Sequence, residues 1–116
     1  MSADSIELKP EEFLIREGEE STQMYFLQTG TMAVFKNRGG ALSQIGTIYA
    51  GEVVGEMSFL DHQPRCASVK AISECTLQII PSEKFEQTLN KMPKWYRALV
   101  NTLLDRLRRA NARIRI

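Results

Sequence analysis

The sequence predicts a mainly β domain with α-helices after it: an antiparallel sandwich, barrel or roll. Three observations carry that prediction. Glycines at 18, 30, 39, 40, 46, 51 and 55 divide the first part of the chain into short segments. The segments between them are rich in Val, Ile, Thr, Tyr and Phe, which fit a pleated, half-buried surface. Beyond Pro81 apolar residues recur every three or four positions, the helical period.

Taken in order, "MYFLQTG" (24–30), "TMAVFK" (31–36), "QIGTIY" (44–49), "CASVKAI" (66–72) and "CTLQII" (75–80) read as strands. Ala67, Val69 and Ala71 alternate with Ser68, Lys70 and Ile72, so one face of that strand is apolar. The pair "ASVKAI" and "CTLQII" reads as a hairpin turning at Ser73-Glu74, a register in which Cys66 and Cys75 are not opposite each other. Ser82 is the expected N-cap of a helix over "EKFEQTL", with Glu83 favourable in its first turn. Met92-Pro93 breaks the chain, and Pro93 suits the first position of a longer helix. Along that helix Trp95, Leu99, Leu103, Leu107, Ala110 and Ile114 form one apolar stripe, and Tyr96, Val100 and Leu104 a second. The face is wider than one small domain needs to cover. One stripe is expected on the domain and the other on a partner chain.

A chain of 116 residues is one domain, with strands from about 8 to 81 and helices from about 82 to 116. Its 43% apolar and 25% charged residues exclude a disordered chain. No window holds the roughly 18 consecutive apolar residues of a membrane span, and "MSADSIELKP" lacks the apolar core of a signal peptide. Two cysteines make no disulfide framework, so a reducing, cytoplasmic setting is expected. The net charge of +1 conceals a division. Residues 1–90 carry seven Lys/Arg and thirteen Asp/Glu, a net −6; residues 91–116 carry eight Lys/Arg against Asp105 alone, a net +7. Such a tail could serve nucleic acid or acidic lipid, but a solvated, Arg-rich helix face accounts for it more simply, and nucleic acid is not an expected partner.

Enzyme signatures are missing. The single histidine, His62, cannot build a His-rich metal site, and with Cys66 and Cys75 it lacks zinc-site spacing. No GxSxG, P-loop or GxGxxG motif occurs. The expectation is therefore a protein that is not an enzyme, with no catalytic residues, no metal and no cofactor.

The segment "GEMSFLDHQPRCAS" (55–68) carries a different chemistry. If Glu56 to Leu60 form one helical turn, the N–H groups of Glu56, Met57, Ser58 and Phe59 are unpaired and suit an anion such as phosphate. Arg65, after the rigid Pro64, could close on the same anion with two charge-assisted hydrogen bonds. A carboxylate at Glu56 would repel the anion unless it accepts from a sugar hydroxyl nearby, and the small Cys66 and Ala67 would admit a ligand close to the strand. The alternative is an Arg65–Glu56 ion pair across a turn, with Phe59 and Leu60 in the core.

"GEMSFLDHQPRCASVKA" resembles the phosphate-binding cassette of cyclic nucleotide-binding domains of the catabolite activator and kinase A regulatory subunit type. "EGEESTQMYFLQTGTMAVFK", "GTIYAGEVVGEMSFL" and "IIPSEKFEQTL" are similar to the strands before that cassette and the helix after it. The resemblance implies an eight-stranded antiparallel, jelly-roll-like β-roll with a long C-terminal helix. It implies that Arg65 binds a cyclic phosphate and Glu56 a ribose 2′-hydroxyl. Gly55, Met57 and Ser58 would line the phosphate by their main chain, with Cys66 and Ala67 on its far side. Leu107, Ala110 and Asn111 would reach the base, and ligand binding would move the helix that carries them. It also implies a homodimer through that helix and an output in an effector domain or protein outside this chain. Cys66 departs from the usual Ser, Thr or Ala. With no strong donor or acceptor there for a guanine amino group, cAMP is expected over cGMP. The alternative within the resemblance is a degenerate roll that binds no nucleotide and serves as a dimerisation or protein-interaction module.

Overall fold

The structure, a computed structural model, describes residues 4–20, 23–56 and 64–114, the side chains at 108 and 111–114 excepted. Eight strands form two antiparallel four-stranded sheets, and two helices follow. This is the mainly β roll that the sequence predicted. One sheet has β1 (Ser5–Leu8), β8 (Cys75–Pro81), β3 (Gln23–Thr29) and β6 (Val53–Val54) side by side. The other has β2 (Phe13–Ile15), β7 (Ser68–Ala71), β4 (Thr31–Arg38) and β5 (Ala41–Tyr49). Strands β1, β2 and β6 are too short to show a period of their own, and none was among the five runs read from the sequence. Strand β1 also starts the roll before the expected boundary near residue 8.

The apolar alternation fills the space between the sheets. Leu27, Met32, Val54 and Leu77 are fully buried, joined by Ile15, Tyr25, Val69, Ala71 and Cys75. Each large side chain placed there contributes on the order of 1.5–3 kcal/mol relative to an exposed one. Val69 and Ala71 face inward and Ile72 outward, as the alternation required. Cys66 and Cys75 are both free.

Two local expectations are corrected. Strands β7 and β8 are not a hairpin, because β7 pairs with β2 and β4 while β8 pairs with β1 and β3. The short link between them steps from one sheet to the other. It is pinned to the start of β4, where Ile72 N–H donates to the Thr31 carbonyl at 2.9 Å and Thr31 N–H donates to Ser73 Oγ at 3.1 Å. Period-two alternation identifies a strand's buried face but not its neighbour, which is why the pattern misled. The corner leaves no room for a side chain at Gly30, whose φ is +99° and whose Cβ would collide with the Glu74 carbonyl and Cys75 Sγ.

The second correction concerns caps. Helix α1 spans Ser82–Asn90 with Pro81 at the N-cap, extended at ψ 152°, and no side-chain cap bond. Pro81 still pairs with Gln23 at the end of β8, so the helix starts directly on the strand and Ser82 falls inside it. Helix α2 spans Lys94–Ile114, and Arg97 N–H donates to the Pro93 carbonyl at 3.0 Å, so Pro93 precedes the first helical position. Among the described residues, α2 makes only sparse contact with any one other element. Trp95, Tyr96, Leu99, Leu103 and Leu107 are exposed along it, while Val100 and Leu104 are partly buried.

Candidate functional site

The site is assembled where β6 ends and β7 begins. Val54 of β6 pairs with Tyr25 of β3, which anchors the chain at the core before it turns outward. Gly55 then takes φ +82°, and Glu56 adopts helical backbone. The chain returns at Pro64-Arg65. There Arg65 N–H donates to the Glu19 carbonyl at 2.8 Å, and Gly18 N–H donates to the Arg65 carbonyl at 2.8 Å. Both cassette ends are therefore fastened to the roll by main-chain bonds.

Arg65 is only 6% exposed. Its Nη1 donates to the Gly55 carbonyl and its Nη2 to the Gln23 carbonyl, each at 2.9 Å. Burial pulls the guanidinium down from its ordinary pKa, opposed by Tyr25, Glu19, Cys66 and Glu56 around it. Burying a cation is costly unless its donors find acceptors, and two carbonyl dipoles take two of the five here. Gly55 is a requirement of this arrangement: a Cβ there would stand 2.5 Å from Nη1 and 3.1 Å from Ile15 Cδ1, at a φ unfavourable to other residues.

Glu56 is the counterpart. Its Oε2 is buried with no hydrogen-bond partner among the described residues. Burial raises its pKa above the ordinary 4.5, and Glu52 adds to the rise; its own main-chain N–H and Arg65 oppose it. The Arg65–Glu56 ion pair considered as an alternative is not what holds Arg65, whose hydrogen bonds among the described residues go to carbonyls.

Both side chains line one cavity of about 120 Å³ together with Gly55, Cys66 and Ala67. Its remaining wall is aliphatic: Ile15, Val34, Ile48, Val54 and Val69. Lys36 Nζ donates to the Cys66 carbonyl at 2.7 Å, tying β4 to the residue after Arg65. The arrangement offers a caged cation, an unpartnered acceptor and an apolar wall within one recess. That combination suits a small molecule carrying an anionic group, a hydroxyl and a flat apolar part.

The structure thus brings together Gly55, Glu56, Arg65, Cys66 and Ala67 from the sequence-predicted set. Met57 and Ser58 lie outside the described residues, as do Phe59 and Leu60 of the expected helical turn. Leu107 and Ala110 sit exposed on α2, no described side chain of which lines the cavity, and the side chain of Asn111 is outside the described residues. The sequence reading missed the five aliphatic wall residues. For Val34 and Val69 the alternation within their strands was the available signal; Ile15, in a three-residue strand, had none.

Comparison with known proteins agrees with this geometry. Residues 5–92 match the family model described as the cyclic nucleotide-binding domain. The potassium/sodium hyperpolarization-activated cyclic nucleotide-gated channel 4 of Oryctolagus cuniculus is 33% identical over 101 residues, which are 87% of this chain and 8% of the channel. This chain therefore corresponds to a small part of that relative. The EAL enzyme Bd1971, in its halfsite-occupied form, superimposes at TM-score 0.86 and 26% identity, covering 95% of this chain and 99% of that one. Bd1971 has also been solved in cAMP-bound and cGMP-bound forms. The catabolite activator protein of Thermus thermophilus shares the fold, at TM-score 0.76 and 24% identity over 95% of this chain and 52% of that one. With most of its length matched by the family model and a curated relative one-third identical, the chain belongs to the cyclic nucleotide-binding domain family.

Proposed function

We propose that the domain is a regulatory sensor that binds a cyclic nucleotide, cAMP in preference to cGMP, and signals by movement of α2. The observation that carries this reading is the pairing, on one cavity, of a caged guanidinium at Arg65 with a buried, unpartnered carboxylate oxygen at Glu56. Two of the five guanidinium N–H groups are used by carbonyls, which leaves others for the cyclic phosphate. Glu56 Oε2 accepts from the ribose 2′-hydroxyl, a donor that no described residue supplies. Main-chain groups of Gly55, Met57 and Ser58 complete the phosphate site, while Cys66 and Ala67 leave space beside it.

The base lies toward solvent in this arrangement, because the aliphatic recess of about 120 Å³ is well below the roughly 300 Å³ of a small-molecule site. Leu107, Ala110 and Asn111 of α2 close over it. No described residue of the helix lines the cavity, so closure over the base would need a second position for it. The exposed stripe of Trp95, Leu99, Leu103 and Leu107 is the surface for a homodimer. The domain catalyses nothing and needs no cofactor; the output belongs to an effector. Bd1971, related in fold and sequence, takes either nucleotide in its solved forms, so the preference for cAMP rests on Cys66 alone.

Calorimetry with cAMP and cGMP on the wild type and Arg65→Ala tests the reading. Wild type should bind at sub-millimolar concentration, and Arg65→Ala should lose about 100-fold, as expected for removing a buried charge partner. No binding of either nucleotide by the wild type would leave the second reading, an interaction module built on the same roll, which the exposed α2 stripe also favours.

A further inference from the structure

A second and more polar cavity, of about 480 Å³, is also lined by Arg65. Arg65 and Ile15 are the wall that it shares with the aliphatic recess. Tyr25 and Gln23, neighbours on one face of β3, line it. The Tyr25 ring lies 6.0 Å from Arg65 Cζ, within range for a cation on an aromatic face, and Tyr25 is only 7% exposed. Its hydroxyl accepts from Gln23 Nε2 at 2.9 Å. Gln23 therefore acts twice, holding the Tyr25 phenol with its side chain and the Arg65 guanidinium with its carbonyl. Tyr25 also pairs with Val54, the residue before Gly55, whose carbonyl takes the other guanidinium nitrogen.

We propose that Tyr25, steadied by Gln23, is a positioning residue for the phosphate-binding guanidinium of Arg65. The proposal rests on the nucleotide reading of the cavity. Tyr25 touches no ligand. It stands against Arg65 in the second cavity and is not among the recess-lining residues, while the Gly55 and Gln23 carbonyls fix the rotation of the guanidinium plane. The free N–H groups then face the recess before any phosphate arrives. A side chain held in its bound geometry loses less freedom on binding, so affinity rises without a new ligand contact. Lysine at position 65 would gain little from the same support, because an ammonium is a compact charge with no plane to orient.

The test is a set of mutant cycles read by calorimetry with cAMP. Tyr25→Phe and Gln23→Ala should each weaken binding about threefold and Tyr25→Leu about tenfold, the scale of a cation–aromatic contact converted to affinity. In an Arg65→Lys background the same three changes should each cost less than about twofold, since they act through the guanidinium plane. Equal losses in both backgrounds would mean that Tyr25 merely packs the core, and the proposal falls. If Tyr25→Leu does not fold, Tyr25→Phe and Gln23→Ala carry the same comparison. A ligand-free arm separates this proposal from the nucleotide reading. Nitrogen-resolved NMR of the empty protein should show slow rotation of the Arg65 guanidinium, faster in Gln23→Ala and Tyr25→Leu. Unchanged rotation overturns the positioning role even if cAMP binds. Absence of nucleotide binding with the rotation altered overturns only the functional reading.

Discussion

The roll and helix α2 use their apolar residues in opposite ways. In the roll, Leu27, Met32, Val54 and Leu77 are removed from water, and apolar side chains left outside, such as Leu42 and Ile45 on β5, belong to a sheet whose other face is in the core. On α2, Trp95 is 70% exposed, Leu103 53% and Leu99 49%, on a segment whose charge is strongly positive. A strand's apolar face finds its partner in the opposing sheet of the same chain. The helix has an apolar face that no described residue covers, which is where the proposed closure over ligand or pairing with a second copy would act. The contrast assigns the stability of the domain to the first region.

The contrast predicts unequal sensitivity to the same substitution. Leu77→Ala should cost about 2–5 kcal/mol in urea unfolding, as a cavity in a close-packed core does. Leu103→Ala, at a protein concentration too low for dimers, should stay within about 0.5 kcal/mol. Similar losses at the two sites would erase the distinction. Gly55→Ala joins the regions' fates at the cradle. It should destabilise by about 1–3 kcal/mol through its positive φ, and it should also displace Arg65 and weaken cAMP binding, read by melting and calorimetry together.

Leu103→Glu sharpens the other half of the comparison. Analytical ultracentrifugation should show the dimer weakened by about tenfold or more, with the unfolding of the roll unchanged. Proton linkage at Glu56 is a smaller and more gradual effect. Its raised pKa means that the empty fold holds the proton more tightly than the unfolded chain does. Stability therefore falls as pH rises from the ordinary 4.5 through the raised value. Cyclic nucleotide affinity should move the other way across that window, because the 2′-hydroxyl favours the carboxylate and its binding expels the proton. Glu56→Gln should bind more weakly and flatten the calorimetric pH profile; an undiminished slope would assign the proton elsewhere. Smallest of all, Ser82→Ala should change stability by less than about 0.5 kcal/mol, because no cap bond is made there.

Much of the fold and part of the site were legible because they depend on local pattern. Alternation at Val69 and Ala71, the period change after Pro81 and the break at Pro93 are each properties of adjacent residues. Gly55, Glu56, Arg65, Cys66 and Ala67 were legible through a contiguous motif. What escaped is non-local. No sequence pattern says that β7 and β8 lie in different sheets, since that follows from the Gly30 corner receiving the Ile72–Glu74 link. Nor could spacing show that Arg65 leans on the Gln23 carbonyl, 42 positions away, rather than on Glu56. Ser82 failed for a related reason: a good capping residue caps only if the preceding strand ends in time, and β8 runs to Pro81.

The pairing of β1 with β8 has a consequence for how the molecule is made. Ser5 lies opposite Gln78 and Leu8 opposite Cys75, so one sheet joins nearly the first described residues to the end of the roll. The chain emerging from a ribosome can form the β4–β5 hairpin early, from neighbours meeting across Gly39-Gly40. It cannot close the β1–β8 seam until β8 has been synthesised. Such long-range closure places refolding in the slow range, about milliseconds to seconds. Until then the inward face of β1 has no strand to pair with and stays wet.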